Sequence, residues 1–95
     1  MKYFIVTNKG DIVLVKPSTV FKMYGFTFFT HWQEFFGWKL TNQETGHLAY
    51  GEGYYYGKEE KEFIKEAKQF LLKKGEKEVK RIINKLLKVN LSKQP

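Results

Sequence analysis

The stretch from Glu59 to Leu91 reads EEKEFIKEAKQFLLKKGEKEVKRIINKLLKVNL, and it decides how the C-terminal part of the chain folds. Phe63, Ile64, Ala67, Phe70 and Leu71 recur at the i, i+1, i+4, i+7, i+8 spacing of one helix face. Val79, Ile82, Ile83, Leu86 and Leu87 repeat the pattern, and Asn90 continues it. Glu59, Glu60 and Glu62 open the first stripe, while Lys73 and Lys74 close it, and both placements suit the helix dipole. Gly75 separates the stripes as the C-terminal cap of the first helix. A single rod is the alternative, because Ile64, Ala67, Leu71, Gly75, Val79, Ile82 and Leu86 also share one face of an unbroken helix.

The second stripe has a charged back. At 100° per residue, Lys77, Arg81, Lys85 and Lys88 fall within an arc of about 80° opposite the apolar residues. Lys77, Arg81 and Lys85 are successive i, i+4 neighbours of one sign, and each such pair costs roughly 0.2–0.5 kcal/mol. Such a row is either a solvated face or a surface that accepts phosphates or an acidic protein. Only Arg81 among the seventeen basic residues is arginine. Bidentate base reading favours arginine, and lysine acts as a point charge. Binding through this row is therefore expected to follow the nucleic-acid backbone with little sequence preference, and the row does not distinguish DNA from RNA.

Upstream, the periodicity is that of strands. Lys2–Thr7 and Asp11–Lys16 flank Asn8-Lys9-Gly10, which is turn chemistry, and together they read as a hairpin. Phe26–Thr30 and Phe35–Leu40 suit two further strands, and the second of these continues toward Asn42. Trp38–Asn42 and His47–Tyr50 flank Gln43-Glu44-Thr45-Gly46, a second hairpin whose outgoing arm extends toward Tyr56. Ser18–Tyr24 suits a loop or one helical turn. Ala49, Gly51 and Gly53 form a strip with almost no side chain, which calls for a close backbone approach or a bulge. Three consecutive tyrosines, Tyr54, Tyr55 and Tyr56, cannot all face a core, so at least one is expected as an exposed aromatic contact.

Ninety-five residues make one domain, with a β-rich half over 1–57, a helical half over 58–91 and a tail over 92–95. The expected architecture is α+β, an antiparallel sheet of about five strands followed by two amphipathic helices packed on one face. Phe26, Phe28, Phe29, Trp32, Phe35, Phe36 and Trp38 are expected mainly as core beneath those helices. The alternative is an exposed platform for bases or a protein. The formal charge is +7, and most of it lies after Gly57.

Most chemistries lack their residues. With no cysteine there is no disulfide, thiolate metal site or thiol nucleophile. Together with the absence of a signal-peptide core or apolar span, this favours the cytoplasm. A Ser-His-Asp arrangement would need Ser18 or Ser92, His31 or His47, and Asp11 to converge. No local spacing pairs Glu34, Glu44 or Glu52 for acid–base work, and Gly51-Glu52-Gly53 precedes no phosphate-loop motif. His31 and Glu34, with His47, fall short of a zinc set, because i and i+3 of a strand face opposite ways. The chain reads as a non-enzymatic binding protein without cofactor or metal, monomeric or homodimeric. Nucleic acid is its expected partner, and the alternative is an interaction module docking on an acidic protein surface or on a second copy.

Overall fold

The computed structural model describes residues 3–7, 9–51 and 57–92. Six strands and two helices follow in order: β1 (Phe4–Val6), β2 (Ile12–Leu14), β3 (Val20–Met23), β4 (Phe26–Gln33), β5 (Gly37–Asn42), β6 (Leu48–Tyr50), α1 (Glu60–Lys74) and α2 (Glu76–Ser92). The class is α+β, with both helices after the strands. The expected single sheet is instead two: a β3-β4-β5-β6 antiparallel meander and a separate β1-β2 hairpin.

Alternation along β4 explains the layering. Phe28 faces a core shared with Leu40, Phe63, Ala67, Leu71, Val79 and Ile83. Phe29 faces the other way, where the ring of Tyr3 meets it edge-on at 5.1 Å. The helices thus cover one face of the meander, and the β1-β2 hairpin reaches over the other. Val6 N–H donates to the Gly46 carbonyl at 2.9 Å, which fastens the hairpin to the β5–β6 loop. Among the described residues no helix is long and apolar enough to cross a membrane.

Ser18–Tyr24, open between loop and helical turn, contains β3. Tyr24 and Gly25 both have positive φ, 57° and 83°, as in the two-residue turns that match strand twist. Tyrosine is an unusual first residue for such a turn, so the sequence carries only half its signal. The β4–β5 connection also differs from expectation: Glu34–Phe36 form the turn, and β5 begins at Gly37. Of the small-residue strip, Ala49 marks a bulge and Gly51 a close approach, and Gly53 lies outside the described residues. Leu40 pairs with Tyr50 and Thr41 with Leu48, which leaves Ala49 as the extra residue. A Cβ on Gly51 would lie 3.0 Å from the Trp38 carbonyl oxygen.

Gly75, with φ 87°, resolves the helical question in favour of two helices joined by one residue. Its N–H donates to the Leu71 carbonyl at 3.0 Å, and its own carbonyl accepts from Val79 N–H at 3.1 Å. One glycine therefore ends α1 and begins α2.

Candidate nucleic-acid interface

Val79 and Ile83 are buried, with Ile82, Leu86 and Leu87 half-buried beside them, and this fixes how α2 is rotated on the sheet. Its opposite side is consequently exposed. Lys77, Arg81, Lys85 and Lys88 are all exposed there, the four cations that helical periodicity places together. Three of them, Lys77, Lys85 and Lys88, form no ion pair with a carboxylate among the described residues.

Arg81 is the fourth, and it is engaged. Its Nε donates to a Glu78 carboxylate oxygen at 3.1 Å and its Nη2 to the other at 2.5 Å, a bidentate i, i+3 pair. The hydrogen bond from Arg81 holds the Glu78 carboxyl below its ordinary value, and the reciprocal bond raises the guanidinium. Both groups stay ionised at neutral pH, so the pair fixes the guanidinium in place. A second, weaker pair joins Lys80 to Glu76 at 3.7 Å across one turn. The exposed row therefore keeps three lysine charges and one oriented arginine.

A second row escaped the sequence reading. Lys61, Lys65 and Lys68 are exposed on the outward side of α1, opposite buried Phe63, Ala67 and Leu71. Their i, i+4, i+7 spacing was the available signal, but the interspersed Glu62 and Glu66 mask it. Lys68 Nζ lies 4.8 Å from the Phe21 ring centroid, so one lysine of this row also packs on the sheet. Glu66 is drawn off by an ion pair with Lys58.

Tyr54, Tyr55 and Tyr56, the expected aromatic contacts, lie outside the described residues. The aromatic cluster divides between the two readings given for it. Phe28 and Phe29 are buried, while Trp32, Phe35 and Phe36 are exposed at the β4–β5 turn. Phe35 is the extreme case, 76% exposed and with a positive φ of 72°.

The histidines stand apart. His31 Nε2 lies 3.0 Å from Thr41 Oγ1 on the hairpin side of the sheet, and Glu34 sits in the turn beyond β4. Among the described residues no three His, Asp or Glu side chains form a metal-ligand group. Compared with protein-family models, with curated proteins and with solved structures, the chain shows no match.

Proposed function

We propose that this is a non-enzymatic protein that binds nucleic acid through phosphate contacts of its terminal helix. The observation that carries the reading is the exposure of Lys77, Arg81, Lys85 and Lys88 on one side of α2, with only Arg81 of the four tied to a carboxylate among the described residues. Compact ammonium groups on flexible stems follow a backbone and do not read base edges. Lys61, Lys65 and Lys68 extend the cationic surface onto α1.

Fluorescence anisotropy with a short labelled duplex and a labelled single strand tests this. Neutralising four phosphates gives a log–log salt slope of about −3.6 on duplex, or roughly a hundredfold loss between 50 and 200 mM salt. Salt-independent anisotropy, or no binding at micromolar protein in low salt, overturns the reading.

A second reading has its own support. Phe35 is exposed on a backbone conformation that bulky residues rarely adopt. On β2, Ile12 and Leu14 are 68% and 65% exposed. Apolar groups in such positions suit a protein partner or a second copy of the chain. In this reading the cations steer an acidic partner and the apolar groups hold it. A pull-down from lysate with and without nuclease separates the two, because only the first loses its partner to the enzyme.

A further inference from the structure

β2 is the outer strand of the β1-β2 ribbon, and its Ile12, Val13 and Leu14 are all exposed. Consecutive exposed apolar residues are unusual in a strand, because alternation normally turns every second one inward. The backbone register shows what else this strand presents. Val15 N–H donates to the Tyr3 carbonyl at 3.0 Å, and Thr7 N–H to the Asp11 carbonyl at 2.9 Å. Antiparallel pairs alternate between bonded and non-bonded, so Ile5 and Val13 form the bonded pair between these two. The Phe4–Leu14 and Val6–Ile12 pairs are then non-bonded, and their N–H and C=O groups point away from the middle of the ribbon. Val6 agrees, since its N–H donates outward to Gly46. On the far side, the N–H and C=O groups of Ile12 and Leu14 point past the edge of β2, and no described residue bonds to them.

Two other strand edges are closed or guarded. Gly46 takes the outer edge of β1. On β3, alternation from the Tyr24-Gly25 turn directs the backbone groups of Val20 and Lys22 outward, and a lysine on an edge discourages strand pairing. β2 has neither a proline nor a charge from Ile12 to Val15.

We propose that β2 pairs with β2 of a second copy, antiparallel about a two-fold axis through Val13. The outward groups allow one register in which each of the three residues meets an apolar one: Ile12 against Leu14 of the second copy, Leu14 against Ile12, and Val13 against Val13. Ile12 and Leu14 then form the bonded pairs, and Val13 the close non-bonded pair on the axis. Asp11 of each copy stands one position from Lys16 of the other, so opposite charges flank both ends, and no two like charges stand directly opposite. A shift by two residues keeps the hydrogen bonds but sets Leu14 against Gly10, or Ile12 against Lys16. A two-fold interface requires such self-complementarity, and this favours a second copy over a foreign strand. Two ribbons joined this way make a four-stranded sheet, where a lone hairpin is marginal. One short strand buries less than the roughly 1,200 Å² of a stable complex, so the expected Kd is on the order of 0.1–1 mM. The pairing rests on β2 as a partner surface, the second of the two readings, and uses no cation of α1 or α2.

Sedimentation equilibrium of the purified, nucleic-acid-free chain from about 10 μM to about 2 mM tests the pairing, with amide exchange followed by NMR at both ends of that range. The average mass is expected to rise from one copy toward two. Exchange at the Ile12 and Leu14 amides slows about two- to sevenfold, while the Val13 amide, bonded to Ile5, is protected at both concentrations. Ile12→Glu and Leu14→Lys, at exposed positions where the fold is not at stake, each weaken self-association by about tenfold or more. Mixed together, they recover it to within about threefold, because the register sets the introduced carboxylate against the introduced ammonium. A constant monomer mass, association that leaves exchange at Ile12 and Leu14 unchanged, or a mixture that associates no more strongly than either variant alone overturns the proposal. Because the purified chain is tested alone, its failure leaves the pull-down to decide for a foreign partner and anisotropy to decide for nucleic acid.

Discussion

The Phe4 ring occupies the space into which a Cβ on Gly46 would project, so the hairpin can lie on the β5–β6 loop only because residue 46 has no side chain. Gly46 also has φ 73°, a conformation that disfavours any L side chain. Gly46→Ala is therefore expected to cost about 2–4 kcal/mol, from backbone strain and overpacking together. Urea denaturation measures the loss. Hydrogen exchange should place the early opening in β1 and β2, and uniform loosening of the sheet would contradict this account.

Glu60 joins three segments at the start of α1. Its carboxylate accepts from the hydroxyls of Ser18 and Thr19, before β3, and from Thr30 Oγ1 on β4 at 3.3 Å. Its charge also faces the N-terminal end of the helix dipole. Glu60→Ala leaves those hydroxyls without their acceptor and is expected to destabilise by about 1–3 kcal/mol. Glu60→Gln keeps the shape and should lose less. Equal losses from the two variants would show that the charge matters little.

His31 makes the fold sensitive to acid. Its pKa falls from 6.5 to about 4 on folding, because burial penalises the imidazolium and Lys39 repels it. Above pH 6.5 both folded and unfolded states are neutral here and no stability depends on pH. Between 6.5 and 4 the unfolded chain binds a proton that the native state refuses, so stability falls as pH falls. The expected loss is roughly 2 kcal/mol after allowance for solvent screening. His31→Gln should remove this part of the dependence, seen as a flatter plot of denaturation midpoint against pH.

Binding and stability should respond in opposite directions on α2. Lys85 is exposed and stands four residues from Arg81. Lys85→Gln removes one like-charge neighbour and is expected to stabilise by up to about 0.5 kcal/mol. The same change should weaken nucleic-acid binding and reduce the salt slope by about one unit. Thermal melts and anisotropy on one protein sample test both. A variant that melts higher and binds as before would leave the row a solvated face.

Phe35 offers the matching test for a protein partner. Relief of its positive φ by Phe35→Gly should leave the fold intact and neutral to about 1 kcal/mol more stable. If the exposed ring contacts a partner, the variant loses that complex and retains nucleic-acid binding. Loss of nucleic-acid binding instead would assign the β4–β5 turn to the first reading, as a stacking platform.

The helical half was legible in the sequence because its signals agree with each other. Buried Phe63, Ala67, Leu71, Val79 and Ile83 are the residues that recur at helical spacing, and Gly75 stands where the stripes part. The exposure of Lys77, Arg81, Lys85 and Lys88 follows from that rotation. The β half was read less completely, because its decisive contacts are nonlocal. Phe28 and Phe29 are identical neighbours, one turned to the helices and one to the hairpin, and only strand alternation within a finished sheet distinguishes them. Separation of β1-β2 from the meander depends on Gly46 and Phe4, forty-two positions apart in sequence. Glu60 looked like a dipole residue, and its bonds to Ser18 and Thr19 leave no trace in spacing. The buried positions of Lys39 and His31 were equally hidden, since an isolated lysine in a strand ordinarily marks the solvent side.

Gly75 gives α2 a mechanical character that follows from its place in the chain. The helix continues from α1 through one residue and is seated on the sheet by Val79 and Ile83 in its first half. Lys85 and Lys88 flank Leu87, which also packs against the core, so a pull on them is resisted along the length of the helix and not only near the glycine. A polyanion bound along that row therefore bears on the seat of Val79, Ile83 and Leu87, which shares its core with Phe28 and Leu40 of the sheet.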